Sequence, residues 1–214
     1  MNKPREALIA ELAAAATPIA RPGKTHGNAA LWLAAAAVIT IVLTVMDGPL
    51  RPGALAALSR APQFLLESML GAAAIVTLGL GAFQSGIPST TPMLRAAALP
   101  LAALAAWVGM YLYGMIDPAL APSMVGKRAH CWLEALAYGL PGLLLGCVAL
   151  RRLWPLHGAW SGALLGLASG AMPALIMQFA CMYDPLHIIK YHLLPGLALG
   201  VVGAVVGARL LRPR

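Results

Sequence analysis

Long apolar runs separated by short polar stretches organise this chain. The runs fall at residues 28–46, 61–83, 96–116, 131–150, 161–180 and 191–211. Each is close to the ~20 residues that a helix needs to cross a hydrocarbon core. The breaks between them are short and rich in Pro, Gly and Asp. The pattern predicts an all-α integral membrane protein with six transmembrane helices. Ahead of the first run lies a leader, residues 1–27. In it Leu8, Ile9 and Leu12 fall on one helical face with Glu6 and Glu11 beside it, which predicts a short N-terminal amphipathic helix. Pro4 suits its first turn. The helix should fade at Thr17-Pro18, before a basic hinge, Arg21-Pro22-Gly23-Lys24. The chain thus divides into a leader, 1–27, and a six-helix domain, 28–214. The first run is too long, and too far from the start, for the core of a cleaved signal peptide.

Composition agrees with the pattern. Of 214 residues 60% are hydrophobic and 10% charged, against about 45–50% and about 25% in soluble domains. The net charge of +8 does not point to nucleic acid, because the basic residues sit at the ends of apolar runs. They set orientation instead. On the side of the N-terminus are ten: Lys3, Arg5, Arg21, Lys24, Arg95, Arg151, Arg152, Arg209, Arg212 and Arg214. On the other side are five: Arg51, Arg60, Lys127, Arg128 and Lys190. The positive-inside rule places both termini in the cytoplasm and the loops after the first, third and fifth spans outside. Those loops open with Asp47-Gly48-Pro49, Asp117-Pro118 and, after Cys181, Asp184-Pro185, which read as helix stops. Glycines four residues apart recur at Gly142 and Gly146, at Gly162, Gly166 and Gly170, at Gly196 and Gly200, and at Gly203 and Gly207. Small residues at that spacing let helices approach closely, so the last three spans should form a tight unit.

Scarce polar residues gather at one level. Residues 181–192, CMYDPLHIIKYH, hold Cys181, His187 and His192 in one polar break. His130 and Cys131 open the fourth span, and Glu134 shares a helical face with Cys131. Thiolate, imidazole and carboxylate are ligands for zinc and similar ions. Cys131 and Cys181 on one face would equally serve as a redox pair. Cys147 lies 16 residues past Cys131, about 24 Å along a helix, and cannot join them. Plainer readings stand beside these. A cysteine at a helix end is often a small buried residue, and interfacial His and Tyr anchor at headgroups. Glu67 and Glu134 inside spans can serve as interhelical hydrogen-bond partners. No phosphate-binding glycine loop, C-x-x-C, HExxH or hydrolytic triad is present, so no enzymatic activity is expected.

The chain resembles the NrsF-like membrane anti-sigma factors of bacteria, negative regulators of extracytoplasmic-function sigma factors. The likeness covers nearly its whole length. It rests on the leader ALIAELA and its basic Pro-containing hinge, on RAPQFLLESMLGAAA opening the second span, and on HCWLEAL at the head of the fourth. It rests also on Cys181 before an Asp-Pro stretch and a His opening the last span. The resemblance implies a protein of the bacterial inner membrane. Its leader (Glu6, Leu8, Ile9, Glu11, Leu12) would sequester a sigma factor of the extracytoplasmic-function type. A metal or oxidant acting at Cys131 and Cys181 would release it. His130, His187, His192 and Glu134 are candidate further ligands. No obligatory cofactor is implied; a transition or heavy metal ion would be the signal. The lipid bilayer is the other partner. The His-x3-Cys-x2-Cys signature of zinc-binding anti-sigma domains is absent, which leaves sequestration to the short leader. Two other readings remain: a small metal or solute transporter built on Glu67, Glu134 and mid-span prolines, and a structural membrane subunit.

Overall fold

The structure, a computed structural model, describes residues 4–15, 25–87, 92–153 and 155–211. The described chain is helical: α1 (Arg5–Ala15), α2 (Thr25–Asp47), α3 (Ala54–Arg60), α4 (Pro62–Gln84), α5 (Met93–Gly114), α6 (Cys131–Leu150), α7 (Gly158–Ala180), α8 (Pro185–Ile188), a π-helical turn (Ile189–Leu193) and α9 (Leu194–Leu210). Six helical stretches are long and apolar enough to cross a membrane; the last, Pro185–Leu210, comprises α8, the π turn and α9. Their positions match the six apolar runs within a few residues, except that the sixth begins at Pro185 rather than near residue 191. The expected helix fade at Thr17-Pro18 and the hinge Arg21-Pro22-Gly23-Lys24 lie outside the described residues, as do Arg212, Pro213 and Arg214.

Two differences from the sequence reading have local causes. The 47–60 break, read as a loop, contains α3, which Pro62 separates from α4 at its N-terminus. Asp184-Pro185, read as a helix stop, is a helix start. The Asp184 carboxylate accepts the His187 backbone N–H at 2.9 Å, and Pro185 fills the first helical position. Both are favourable helix-opening devices.

α7 occupies the centre, packed against α2, α4, α6 and α9. Its contact with α9 is a glycine seam. A Cβ added to Gly162 would collide with the Gly203 carbonyl, one on Gly166 with Leu199 O, and one on Gly170 with Gly196 O. The two backbones therefore touch without side chains between them, as small-residue repeats permit. The α6 pair lies against other groups. Gly146 faces Leu165 and Trp32, and the Trp32 indole N–H donates to Gly142 O at 2.8 Å. The expected tight unit of three helices is thus tightest between α7 and α9, while α6 also receives α2. Pro100, Pro141 and Pro173 lie inside α5, α6 and α7 without ending them.

Candidate functional site

The ends of α2, α5 and α7 meet the starts of α4, α6 and α8 at the face opposite the start of α2. Backbone pairing stitches their loops together there. Arg51 N–H donates to Phe179 O at 2.8 Å, and Ser123 N–H to Tyr183 O at 3.0 Å. Residues 181–184 are thereby held in extended backbone across the top of α7.

Within this frame Cys131 and Cys181 come together, their sulfurs 3.1 Å apart. His187 Nε2 lies 3.5 Å from Cys181 Sγ. One ligating atom from each of Cys131, Cys181, His187 and His192 lies within 4.8 Å of every other. Cys131, Cys181 and His192 are buried, and His187 is half-buried. The two imidazole rings stand nearly perpendicular, at 89°, with centroids 5.1 Å apart. The π turn makes this pairing possible. Five residues along an α-helix turn the side chain about 140° away, whereas the i→i+5 spacing of a π turn stacks them. Leu194 N–H duly bonds Ile189 O. Pro195 supplies a cause, since it cannot donate to the carbonyl of Tyr191 and crowds it.

The donor set suits a borderline-soft cation. Donors at about 2.3 Å for sulfur and 2.0–2.1 Å for nitrogen stand roughly 3.3–3.8 Å apart around one zinc, close to the spacing found. Both ring nitrogens of His192 are buried without a hydrogen-bond partner, an arrangement that costs free energy unless something binds there. Hydrogen bonding from the Cys131 thiol, then from His187, lowers the Cys181 thiol below its ordinary value despite burial. Cys181 is therefore the sulfur that carries negative charge first, the form that binds metal and attacks oxidants.

Two candidate ligands stand elsewhere. His130 is exposed and sits just before α6, contributing its carbonyl to the Leu133 and Glu134 N–H groups. Glu134 is engaged by Arg128 at 3.4 Å. That arginine also meets Asp47 at 3.0 Å and donates to Thr44 O at 3.0 Å and Gly48 O at 2.9 Å, capping α2. Its own carbonyl lies 3.4 Å from Cys131 Sγ. Arg128 thus ties α2 to the start of α6 beside the sulfur. The Arg128 and Glu134 side chains are only 10% and 12% exposed, and opening such a pair strands a poorly hydrated charge. Arg128→Met is expected to lower stability by about 3 kcal/mol. Thermal unfolding in detergent, with the exposed Arg60→Met as control, checks this.

Tyr183 was not singled out from sequence. It is fully buried and donates to both oxygens of buried Glu67, at 3.0 and 3.1 Å. Arg51 lies over its ring and that of Phe64, and burial lowers the Arg51 guanidinium. A second buried chain runs from Tyr111 to Gln178 at 2.6 Å and on to Ser68 at 3.0 Å. The available signal was Gln178 inside an apolar run. The leader residues Glu6, Leu8, Ile9, Glu11 and Leu12 are on α1, and all are exposed.

No solved structure matches the chain. Among curated proteins, carotenogenesis protein CarR of Myxococcus xanthus is 30% identical over 185 residues, covering 84% of this chain and 72% of that protein. The family model described as negative regulator of sigma F matches residues 12–212, nearly the whole length. By that match the chain belongs to the NrsF family, the negative regulators of sigma F.

Proposed function

We propose that this protein is a membrane-embedded anti-sigma factor of the bacterial inner membrane. It holds a sigma factor of the extracytoplasmic-function type through its leader, residues 1–27, and releases it when a metal ion or oxidant acts at Cys131 and Cys181. The family supplies negative regulation of a sigma factor. The observation that carries the sensing step is the closure of two thiols and two imidazoles into one buried cluster.

The basic-residue asymmetry supports an outward cluster and cytoplasmic termini. Of the five basic residues at the cluster's face, Arg128 is paired with Asp47 and Glu134, and Arg51 is stacked on Phe64 and Tyr183.

Either signal acts on the same two sulfurs. A cation would be held by Cys131, Cys181, His187 and His192, supplying Lewis-acid bridging between the head of α6 and the end of α7. An oxidant would take two electrons and two protons from the thiols as the S–S bond forms. The seam carries a movement of α7 to α9, and both helices run to the face where α2 begins. To release the sigma factor the signal must favour one of two states, by about 1–3 kcal/mol for a 5–150-fold change.

Full-length protein should co-purify the sigma factor, and a chain lacking residues 1–27 should not. Equal recovery by both would sink the leader reading.

A further inference from the structure

At the face opposite the cysteine cluster, two adjoining cavities of about 530 and 230 Å³ form a groove between the starts of α5 and α7 and the end of α9. Met93, Leu156, His157 and Trp160 line both. Ala204 and Ala208 floor one end. The lining is mostly apolar, yet the Trp160 indole N–H is buried with no partner, a donor that gains from an incoming acceptor.

We propose that this groove is the docking site of the chain's own leader helix α1, so that groove and sigma factor compete for the same apolar face. This rests on the anti-sigma reading above. Three observations select α1 as occupant. Its apolar side chains are uncovered: Leu8, Ile9 and Leu12 are 47%, 55% and 62% exposed, and none of its residues is buried. Its charge is complementary. At 100° per residue Glu6 and Glu11 flank the Leu8, Ile9 and Leu12 face, while Arg95 and Arg209 follow the groove residues Met93 and Ala208 by one or two positions. Its reach suffices. Nine residues, 16–24, separate α1 from α2, a span of up to about 30 Å, and α2 begins at the groove's face. A tether that short presents the helix at an effective concentration in the millimolar range, ahead of a freely exchanging lipid chain.

The docked and the sigma-bound leader are then the two states that regulation requires. Sigma affinity falls by the fraction of leader that is free. If nine-tenths of it is docked, filling the groove raises apparent affinity about tenfold.

The test uses full-length protein in lipid nanodiscs, with a benzophenone amino acid at Leu12. Without sigma factor, illumination should join Leu12 to peptides covering 156–163 or 204–211. The same probe at Ala14, on the opposite face, should not give that product. With the probe placed instead at Leu156 in the groove, leaving the leader intact, added sigma factor should suppress its crosslink to residues 4–15. Ala204→Trp, which fills the groove, should abolish the crosslink and tighten sigma binding about tenfold. Crosslinking only to lipid, or unchanged sigma affinity in an Ala204→Trp protein of normal melting temperature, overturns the proposal. Should Ala204→Trp misfold, the Leu12 and Ala14 crosslinks decide alone. A groove crosslink, together with no sigma binding by the protein without the probe, would keep the docking and remove the anti-sigma reading, so the two fail separately.

Discussion

Cys181→Ser is expected to weaken binding of cadmium or zinc by roughly 100-fold or more, since losing even an outer-shell partner of a metal ligand costs 10–100-fold. Cys181 is fully buried at the centre of the cluster, in contact with both Cys131 and His187. Replacing it removes the thiol most readily ionised and leaves serine, a poor ligand for soft cations. Cys131→Ser should act similarly, and His192→Ala somewhat less. His130→Ala should leave affinity unchanged, because that side chain is exposed ahead of α6. Isothermal titration of purified protein gives the affinities, and signal-dependent sigma release in cells gives the functional counterpart. If Cys131→Ser and Cys181→Ser both release sigma factor like the parent, the cluster is not the sensor. Equal losses from His130→Ala and His192→Ala would show that the ligand set is different.

Gly166→Leu is expected to separate α7 from α9 and to lower stability by about 3 kcal/mol or more, at the upper end of overpacking costs. A single added carbon there already overlaps the Leu199 carbonyl. Backbone atoms cannot swing aside as a side chain can, so the helices must part along several residues. Gly109→Leu is the matched control. Nothing lies within 4 Å of a carbon added at that position, so the same substitution in α5 should be nearly neutral. Thermal unfolding in detergent compares the two, and equal melting temperatures would refute the seam's structural weight.

The spans were legible because the bilayer fixes their length, and a run such as 131–150 has no other stable use. The meeting of Cys131 with Cys181 followed from the alternation of helices, which puts the head of the fourth span beside the tail of the fifth. Choosing among the neighbouring polar groups was harder. Glu134 has the right spacing from Cys131, but Arg128 occupies it, through a contact that also recruits Asp47 from another helix. His130 and His192 look equivalent as histidines at span ends. One precedes its helix and points into solvent, while the other is buried inside a π turn. Asp184-Pro185 was ambiguous in principle, because the same dipeptide stops one helix and caps the next. Tyr183 went unremarked because a tyrosine near a membrane boundary usually anchors at headgroups, and its link to Glu67 spans 116 positions.

The π turn at Ile189–Leu193 also leaves the last helix tolerant of a one-residue deletion. A π turn is an α-helix carrying one residue more than its hydrogen bonds need. Deleting Ile189 or Lys190 would let the segment relax into ordinary helix. The Asp184 cap and the glycine seam would both survive, and His192, now four residues after His187, would stay on the same helical face. A single-codon deletion here would thus leave the four-ligand cluster and the bundle in place. Chains sharing this fold could therefore carry a π or an α turn at this point and keep the same ligand set.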